Sequence, residues 1–490
     1  MKAEDNMELS ELKPELVFKH FVNICAIPHG TGHTEGLGDY IENIAKEHGF
    51  SYLRDNYGNM VIRKEASGGH GGEPVVLQEH LDMMADTDRS YIVLPEEKKK
   101  QPELSIIDDY IYARGESMGA DGGIGIAYIL ALLESEGLSH PPIEALFTVD
   151  ADAGMKGVRE MDLSVIRGRR MINFGHFDER EILVGCAGER RVTCEVPVRF
   201  ENQFGRLYDL VICGLKGGHS GREIDMYRGN ANLLMGRLLH YIDLYMDYSL
   251  FYLKGGMHHN YIPREAKASI LIREQDADRL EDLVDKFNEA LIKEYKYIED
   301  NLTIYCENKD EGIANVLTEK TKQRVIFLLL TIPDGIVKMN PTHRNIVQTS
   351  SNVGMMSLER NSFVLNISIR SLLSSEKHAL SDKCRFLTEN IGGTFKVTIN
   401  YHAWEYEEDS LLRNVLTPVY QELFKRPPVF TMTHSGLECG IISDKLRDMD
   451  IVSIGPLIEN ANTDKERLCI SSVGRVWEFL TRLLEVLQGI

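Results

Sequence analysis

Short apolar runs alternate with segments of helical length in the first part of the chain, between residues 14 and 185. The runs at 75–77, 145–149 and 171–174 have the length of buried strands, and the apolar stretch at 124–133 is long enough for a helix. Alternation of this kind predicts an α/β domain in which helices cover a largely parallel sheet.

A glycine-rich turn at 119–123 comes directly before the predicted helix. The turn contains Asp121, which we therefore expect just before the helix N-terminus, at the partly positive end of the helix dipole. A carboxylate held on such a turn could bridge two cations.

The second part of the chain has longer strands in which apolar and polar residues alternate. We predict strands at 191–200 and 208–214 and helices at about 230–245 and 280–295. This mixture is typical of an α+β domain, which we expect to extend to about Tyr401.

After Tyr401 the chain returns to helix and short strand. A helix is predicted at 411–424, an apolar strand at 451–454, and a closing helix follows. The sequence contains no repeat of fixed period and no low-complexity segment.

The length and charge of the chain limit the classes of protein to which it can belong. At 490 residues and 55.6 kDa the chain is too long for one hydrophobic core, so we expect at least two domains. The 75 acidic and 55 basic side chains give a formal charge of -20, which repels phosphate backbones and anionic lipids. We therefore expect neither a nucleic-acid partner nor a membrane partner.

The cysteines and the apolar runs indicate a cytoplasmic protein. The eight cysteines form no C-x-x-C pair and lie mostly in apolar surroundings, which indicates a reducing compartment. The charged N-terminus lacks the apolar segment of a signal peptide, and the longest apolar stretch, at 325–332, is too short to span a bilayer.

Side chains of the types that bind metal ions follow the predicted strands of the first domain. His80 and Asp82 come after the first of these strands, Asp150 and Asp152 after a second, and His176 after a third. The carboxyl ends of strands are where open α/β sheets bind ligands. Taken singly, each residue is more often a turn former, a helix cap or a hydrogen-bonded structural residue. Their joint order favours a functional site.

The order of these segments resembles that of the aminoacyl-histidine dipeptidases, a branch of the co-catalytic dizinc peptidases. The resemblance covers essentially the whole chain. Besides the metal-type segments it includes IP at 27–28, DNYGN at 55–59, GGHSG at 217–221, RGNAN at 228–232, IPREA at 262–266 and GLECG at 436–440.

The resemblance implies a fold and a chemistry. It implies a dizinc-peptidase-type α/β catalytic domain, formed by 1–186 and 404–490, and an inserted α+β lid and dimerisation domain at 187–403. In such enzymes two zinc ions share an aspartate, and a glutamate deprotonates the attacking water. His80 and Asp121 match metal ligands, and Asp82 matches the residue that orients one of them.

Several positions depart from the family pattern T-x-x-E-E-x-G and its later ligands. The position of the family's general base is occupied by Ala151, and the position of the glutamate ligand that follows it is occupied by Asp152. A further aspartate ligand falls on Gly175, and the late histidine falls on Asn462. With fewer than three protein ligands per ion, we expect weak or partial zinc occupancy.

Three neighbouring side chains could replace the missing groups. Asp150 lies two residues before Asp152 and could act as a catalytic residue, while His176 and Asp178 follow Gly175 and could bind a metal. None of them has the family spacing, so simple loss of the groups is the preferred interpretation.

The residues that would bind substrate are kept. His219 resembles the family's oxyanion-stabilising histidine, and Asn260 and Arg370 resemble residues that hold the peptide backbone and its C-terminal carboxylate. His434 is expected to line the same cleft. The alternatives are a turn residue for His219 and a surface ion pair for Arg370.

Two functions follow from these observations. The first is metal-dependent hydrolysis of Xaa-His or other small dipeptides by a cytoplasmic homodimer. The second is a catalytically silent relative that binds a small peptide or metabolite in the cleft between the domains. If the metal site is kept, His80, Asp121 and Asp152 should converge within a few ångströms, because liganding distances are about 2 Å.

Overall fold

The computed structural model describes residues 8–67, 72–83, 102–115, 117–151 and 154–490. The chain divides into two compact units. Unit 1 comprises Met1–Gly185, Trp404–Met432 and Leu437–Ile490, and unit 2 comprises Cys186–Ala403 and Thr433–Gly436. Each unit has its own hydrophobic core. In the described part of the chain, no helix is long and apolar enough to cross a membrane.

The α-helices of the described residues are distributed over both units. They are α1 Glu15–Ala26, α2 Glu35–Glu47, α3 Ala120–Glu134, α4 Lys156–Glu160, α5 Ala231–Asp243, α6 Ala277–Glu294, α7 Glu319–Thr331, α8 Ser374–Asn390, α9 Leu411–Phe424, α10 Cys439–Lys445 and α11 Ile470–Leu487.

The strands form one large sheet in each unit and two small sheets. They are β1 Ser51–Arg54, β2 Met60–Lys64, β3 Val75–His80, β4 Leu104–Ile107, β5 Tyr110–Ala113, β6 Ile143–Thr148, β7 Arg170–Asn173, β8 Glu181–Cys186, β9 Gly188–Pro197, β10 Phe200–Cys213, β11 Gly218–His219, β12 Ser249–Gly255, β13 Tyr261–Ile262, β14 Ala266–Ile272, β15 Thr303–Leu317, β16 Gly335–Met339, β17 Val347–Leu358, β18 Ser362–Ser371, β19 Thr394–Asn400, β20 Val429–Thr433, β21 Asp450–Ser453, β22 Ile458–Glu459 and β23 Arg467–Cys469.

The large sheet of unit 1 has eight strands in the order β1-β2-β6-β3-β7-β21-β8-β20. Its four central strands, β6, β3, β7 and β21, are parallel, whereas β1, β2 and β8 pair antiparallel. The central strands are apolar and buried because helices cover both faces of such a sheet. Their carboxyl ends therefore meet at one edge.

Helix α3 begins close to this edge. Gly119 is left-handed, Asp121 and Gly122 are not helical, and the regular helix starts only after them. Gly122 has a φ of +78°, and a Cβ there would lie 3.0 Å from the main-chain oxygen of His80. Only glycine permits both this backbone conformation and this approach, which brings Asp121 next to His80.

The large sheet of unit 2 has nine antiparallel strands, ordered β15-β10-β14-β12-β17-β18-β9-β19, with β16 paired to β17. Residues of α5, α6, α7 and α8 pack with the sheet in one hydrophobic core. On the strand pair β9–β18, Arg370 lies opposite Glu189, and Asn366 lies opposite Thr193. Side chains two residues apart share a face, so Arg370, Ser368 and Asn366 lie on one side of the sheet.

Most of the predicted elements are confirmed. The helix predicted at 411–424 is α9, and the helices predicted at about 230–245 and 280–295 are α5 and α6 with ends shifted by a few residues. The sheet of the first domain is parallel at its centre, as predicted, but antiparallel towards its edges.

Candidate functional site

His80 and Asp121 form the centre of the candidate site in unit 1. His80 ends β3, and its Nε2 lies 3.7 Å from Oδ1 of Asp121. Nδ1 of His80 lies 2.8 Å from the main-chain oxygen of Asp82, which fixes the orientation of the ring. Burial opposes the charged imidazolium, but Asp121, Glu79 and Asp82 outweigh this effect, so the pKa of His80 is raised well above its ordinary value.

Asp82 organises the backbone around the site. It is buried, and its Oδ1 accepts a hydrogen bond from the main-chain N–H of Ala151 at 2.9 Å. Its Oδ2 accepts a hydrogen bond from the hydroxyl of Thr31 at 3.1 Å. Ala151 therefore contributes a backbone N–H and a methyl group, neither of which can accept a proton from water.

Asn462 lies against Asp121. Its Nδ2 donates a hydrogen bond to Oδ2 of Asp121 at 2.8 Å, and its Oδ1 is buried without a hydrogen-bond partner among the described residues. The residue is left-handed, with a φ of 63°, a conformation that asparagine tolerates better than most residues. Asn462 thus presents an amide donor to the carboxylate of Asp121.

Glu466 connects the two segments that carry Asp121 and Asn462. Its side chain is 1% exposed. Its Oε2 accepts hydrogen bonds from the N–H groups of Met118 and Ala120 and from the hydroxyl of Ser117, and its Oε1 accepts one from the N–H of Asn462. One buried carboxylate therefore positions both loops.

The donors present do not make a complete metal site. His80 and Asp121 have the chemistry of ligands, but the described residues contain no group of three or more histidine, cysteine, aspartate or glutamate side chains that could hold an ion. Asp152, predicted as a ligand, lies outside the described residues. The described donor set thus falls short of the three protein ligands of a catalytic zinc ion.

Two of the three suggested replacement residues, Asp150 and Asp178, have other hydrogen-bond partners. Asp150 is left-handed, and its Oδ1 accepts a hydrogen bond from the N–H of Gly32 at 3.0 Å. Nε2 of His176 lies 3.8 Å from a carboxylate oxygen of Glu181, and burial lowers the pKa of His176 to about 4. Asp178 accepts hydrogen bonds from the side chain and backbone of Arg180.

Two buried carboxyl groups lie beneath the site. Oε2 of Glu438 accepts hydrogen bonds from Thr148 at 2.5 Å and from Gln78 at 2.7 Å, while its Oε1 has no partner in the part of the chain that the structure describes. Burial disfavours the ionised forms and raises the pKa of Glu438 to about 7 and that of Glu79 to about 8. Asn173 extends this network, because its Nδ2 donates to Gln78 at 2.7 Å.

Gly175 lies at the end of the same network. Its N–H donates a hydrogen bond to Oδ1 of Asn173 at 3.0 Å. A Cβ at this position would lie 3.1 Å from that oxygen and 3.6 Å from Leu437. A side chain can therefore be accommodated if Asn173 moves by a few tenths of an ångström.

His219 of unit 2 has a defined tautomer. Its Nδ1 accepts hydrogen bonds from the N–H groups of Gly221 and Arg222 at 3.1 and 3.2 Å, so Nε2 carries the proton. Burial, with the positive charge of Arg370, lowers the pKa of His219 to about 3. At neutral pH His219 is thus an uncharged hydrogen-bond donor.

Arg370 belongs to a buried ionic network, and the alternative of a surface ion pair is wrong. Arg370 is 3% exposed and its Nη2 lies 3.4 Å from Oε2 of Glu189, which is fully buried. Glu189 also accepts hydrogen bonds from Ser368, Tyr401 and Arg191. Burial alone would raise the pKa of Glu189, but the two guanidinium groups hold it well below its ordinary value.

The other two residues predicted to bind substrate make contacts within unit 2. Oδ1 of Asn260 lies 2.7 Å from Nδ1 of His258, and its main-chain oxygen accepts a hydrogen bond from Ser220. His434 is 7% exposed, and its Nε2 lies 2.7 Å from the hydroxyl of Ser350. Burial lowers the pKa of His434 to about 3, so its ring is uncharged.

The structure thus brings His80, Asp82, Asp121 and the Ala151 and Asn462 positions together. Asp178 is paired with Arg180, whereas Nε2 of His176 is buried without a hydrogen-bond partner among the described residues. Sequence reasoning missed Glu466, Glu438 and Glu189. Glu438 belongs to the GLECG block at 436–440, which is part of the family resemblance but suggests no function for this glutamate. Glu189 lies just before the strand predicted at 191–200. Had that strand been predicted from residue 188, where β9 begins, the spacing of Glu189 and Arg191 could have indicated an ionic pair on one face.

A model of the peptidase dimerisation domain matches residues 212–299. The chain is also 36% identical to the cytosol non-specific dipeptidase of Escherichia coli strain K12 over 487 residues, which is 98% of this chain and 99% of that protein.

Solved structures extend the comparison. The aminoacylhistidine dipeptidase of Vibrio alginolyticus is 32% identical, covers 98% of both chains and superposes with a TM-score of 0.81. The aminopeptidase PepT of Bacillus cereus, at 13% identity and a TM-score of 0.55 over 97% of this chain and 99% of that one, shares the fold.

The fold and the residues at the sheet edge define a peptidase of the M20 class, whose metallopeptidases depend on divalent metal ions. Within that class the chain belongs to the family of aminoacyl-histidine and cytosol non-specific dipeptidases. The predicted fold class, an α/β catalytic domain with an inserted α+β domain, is confirmed.

Replacing Glu466 should destabilise unit 1. In Glu466→Gln an amide group would face four N–H or O–H donors, and we expect a loss of about 1–3 kcal/mol in the free energy of unfolding. Urea denaturation followed by tryptophan fluorescence reports on this unit, because Trp404 and Trp477 both belong to it.

The matched control is Glu459→Gln, in the same region of unit 1. Glu459 pairs with Arg467, and its side chain is 32% exposed. Loss of this partly exposed ion pair should lower the free energy of unfolding by at most about 1 kcal/mol. Equal effects of the two substitutions would contradict the positioning role of Glu466.

The stability of the protein should depend on pH through Glu438. The folded protein keeps the proton of Glu438 up to about pH 7, whereas the ordinary pKa is 4.5. The unfolded chain therefore loses this proton first, and the free energy of unfolding should fall as the pH rises through this window. The free energy of unfolding of the parent minus that of Glu438→Gln should fall by up to about 1.4 kcal/mol per pH unit as the pH rises. A difference independent of pH would show that Glu438 is ionised throughout.

Proposed function

We propose that this chain is a dipeptidase with an incomplete metal centre, which binds Xaa-His or other small dipeptides and hydrolyses them slowly. Family membership supports the reaction class. The observation that supports a reduced rate is the hydrogen bond from Asn462 to Asp121. It places an amide donor on the carboxylate that would be shared between two ions. The methyl group of Ala151 adds to this deficit, since loss of a general base usually costs roughly a hundred- to ten-thousand-fold in rate.

The two units have different roles in this proposal. Residues 1–186 and 404–490 form the catalytic domain, and 187–403 form the lid and dimerisation domain of a homodimer. The match of a peptidase dimerisation domain to 212–299 supports the second assignment. We also propose a cytoplasmic location, in keeping with a sequence whose eight cysteines form no C-x-x-C pair.

Zinc is the metal we propose, bound by His80, Asp121 and Asp152. Imidazole and carboxylate groups are ligands that zinc accepts. Nδ1 of His80 is hydrogen-bonded to the main-chain oxygen of Asp82, so Nε2, which lies near Asp121, is the nitrogen available to a metal ion. When bound, such an ion supplies a Lewis acid and lowers the pKa of its water. Asp82 and Asp150 are the candidate catalytic groups of the chain itself.

Peptide recognition is assigned to unit 2. The neutral His219 with its proton on Nε2 can donate a hydrogen bond to a developing oxyanion without carrying a charge. Arg370 would bind the C-terminal carboxylate, and Glu189 positions its guanidinium group. Asn260 and His434 complete the proposed set.

The second candidate function is peptide binding without hydrolysis. It is favoured by the same Asn462–Asp121 hydrogen bond, together with the intact network around Arg370. The two candidates differ in one measurable property, which is turnover of a bound dipeptide.

Metal content distinguishes a complete from an incomplete centre. Because Gly175 provides no donor and the amide of Asn462 is a poorer ligand than imidazole, elemental analysis after dialysis should give clearly fewer than two zinc ions per chain. Two stoichiometric ions would show that other residues have replaced the missing ligands.

Restoring the family residues should restore function. Ala151→Glu, Gly175→Asp and Asn462→His together add a general base and two ligands to His80 and Asp121. Gly175→Asp requires a small shift of Asn173, and histidine, like asparagine, is enriched among left-handed residues such as 462. We expect tighter zinc binding and faster hydrolysis of Xaa-His dipeptides, by about a hundredfold or more.

The single substitution Ala151→Glu is the matched control. It adds the base without the ligands, so it should change neither zinc content nor rate appreciably. The proposal is wrong if the parent already hydrolyses dipeptides at ordinary enzymatic rates. A folded triple variant that neither binds zinc nor cleaves would show that the unit has diverged beyond these three positions.

A further inference from the structure

The segment 217–228, the His219 loop, presents His219 and belongs entirely to unit 2. It contains β11, which pairs with β13, and then turns back through a 3-10 helix, Ile224–Met226. Because β11 is only two residues long, its pairing alone is too short to hold a side chain in one position. Further contacts within the loop must do so.

Glu223 holds the main chain of His219 from both sides. Oε2 of Glu223 accepts a hydrogen bond from the main-chain N–H of His219 at 2.8 Å. The N–H of Glu223 donates in return to the main-chain oxygen of His219 at 2.9 Å. Both backbone polar groups of His219 are thus bound by one residue, which closes the turn between them.

Arg228 fixes the carboxylate of Glu223. Its Nη2 lies 2.8 Å from Oε1 of Glu223, and its Nη1 donates a hydrogen bond to the main-chain oxygen of Gly217. The end of the His219 loop is therefore tied to its beginning, with Glu223 between them. The side chains of Arg228 and Glu223 are 19% and 36% exposed, and ion pairs with such exposure contribute little to stability. A role in geometry explains the arrangement better than a role in stability.

The backbone at Gly218 is shaped around this ion pair. Gly218 has a φ of +134°, a conformation that side chains rarely adopt. A Cβ there would collide with Nη1 of Arg228 and would lie 2.7 Å from Oε2 of Glu223. Only glycine leaves the space in which the two charged groups meet beside His219.

The turn that Glu223 closes also fixes the imidazole of His219. Nδ1 of His219 accepts hydrogen bonds from the N–H groups of Gly221 and Arg222, which lie between His219 and Glu223 in the chain. The proton is thereby kept on Nε2, for which no described residue is an acceptor. If the turn opened, both N–H groups would move away from Nδ1, and the ring could exchange between its two tautomers.

We propose that Glu223, held by Arg228, is a positioning residue that keeps His219 in one tautomer as a hydrogen-bond donor. The proposal rests on the proposed function of His219 at a developing oxyanion. A donor that is fixed before the reaction needs no reorganisation when the charge develops. Loss of Glu223 should therefore slow the chemical step and leave peptide binding nearly unchanged.

The first test is nuclear magnetic resonance of the full-length protein with ¹⁵N-labelled histidine. The signals of His219 are identified by their absence in His219→Gln. In the parent, Nε2 should give the signal of a protonated nitrogen and Nδ1 that of an unprotonated one. In Glu223→Ala the two signals should move towards each other, because the ring then exchanges between tautomers.

Two variants serve as controls. Glu294→Gln breaks a comparable ion pair of unit 2, in which Arg237 donates to both carboxylate oxygens at 2.9 Å and the side chains are 43% and 47% exposed. It should leave the signals of His219 unchanged. Glu223→Gln keeps an oxygen that can accept the N–H of His219, so it should shift these signals less than Glu223→Ala does.

The second test separates turnover from binding. In Glu223→Ala the kcat for dipeptide hydrolysis should fall about tenfold or more, while KM changes by less than about threefold. A parent without any turnover would contradict the proposed hydrolysis, and the signals of His219 would still decide the role of Glu223. If Glu223→Ala does not fold, Arg228→Met, which removes the other half of the ion pair, should shift the signals of His219 in the same direction.

Three results would overturn the proposal. The first is a folded Glu223→Ala or Arg228→Met variant in which the signals of His219 are those of the parent. The second is an equal shift in Glu294→Gln, which would show a general response of unit 2. The third is a raised KM with unchanged kcat in Glu223→Ala, which would assign Glu223 to substrate binding instead.

Discussion

The parallel alignment of β6, β3, β7 and β21 is the constraint on which the candidate site of unit 1 depends. Parallel neighbours end at the same edge of a sheet, so residues that follow these strands are collected there although they are far apart in sequence. The close approach of Gly122 to His80 adds the turn that carries Asp121. Without this alignment, the side chains would be unrelated turn residues.

The hydrogen bonds at this edge pair its carboxylates with neutral donors. The amide of Asn462 donates to Asp121, and the backbone of Ala151 donates to Asp82. Carboxylates that would otherwise repel each other are thereby compensated by neutral donors. Such pairing stabilises the ionised form of each carboxylate without a metal ion.

Sequence patterns predicted the elements of the fold better than the interactions inside the site. Periodicity is local, and α9 could be read directly from residues 411–424. The partners of Arg370 could not be read in this way, because Glu189 and Arg370 become neighbours only through the pairing of β9 with β18. The same holds for Glu466, because three of its four donors belong to residues 117–120, far from it in sequence.

The four hydrogen bonds of Glu466 have a consequence for how the protein responds to its surroundings. In many metalloproteins the free energy of metal binding is part of the free energy of folding, so that a chelator unfolds them. Here a carboxylate of the chain already joins the two loops. The connection between these two loops is therefore made by the chain itself and does not depend on a bound ion.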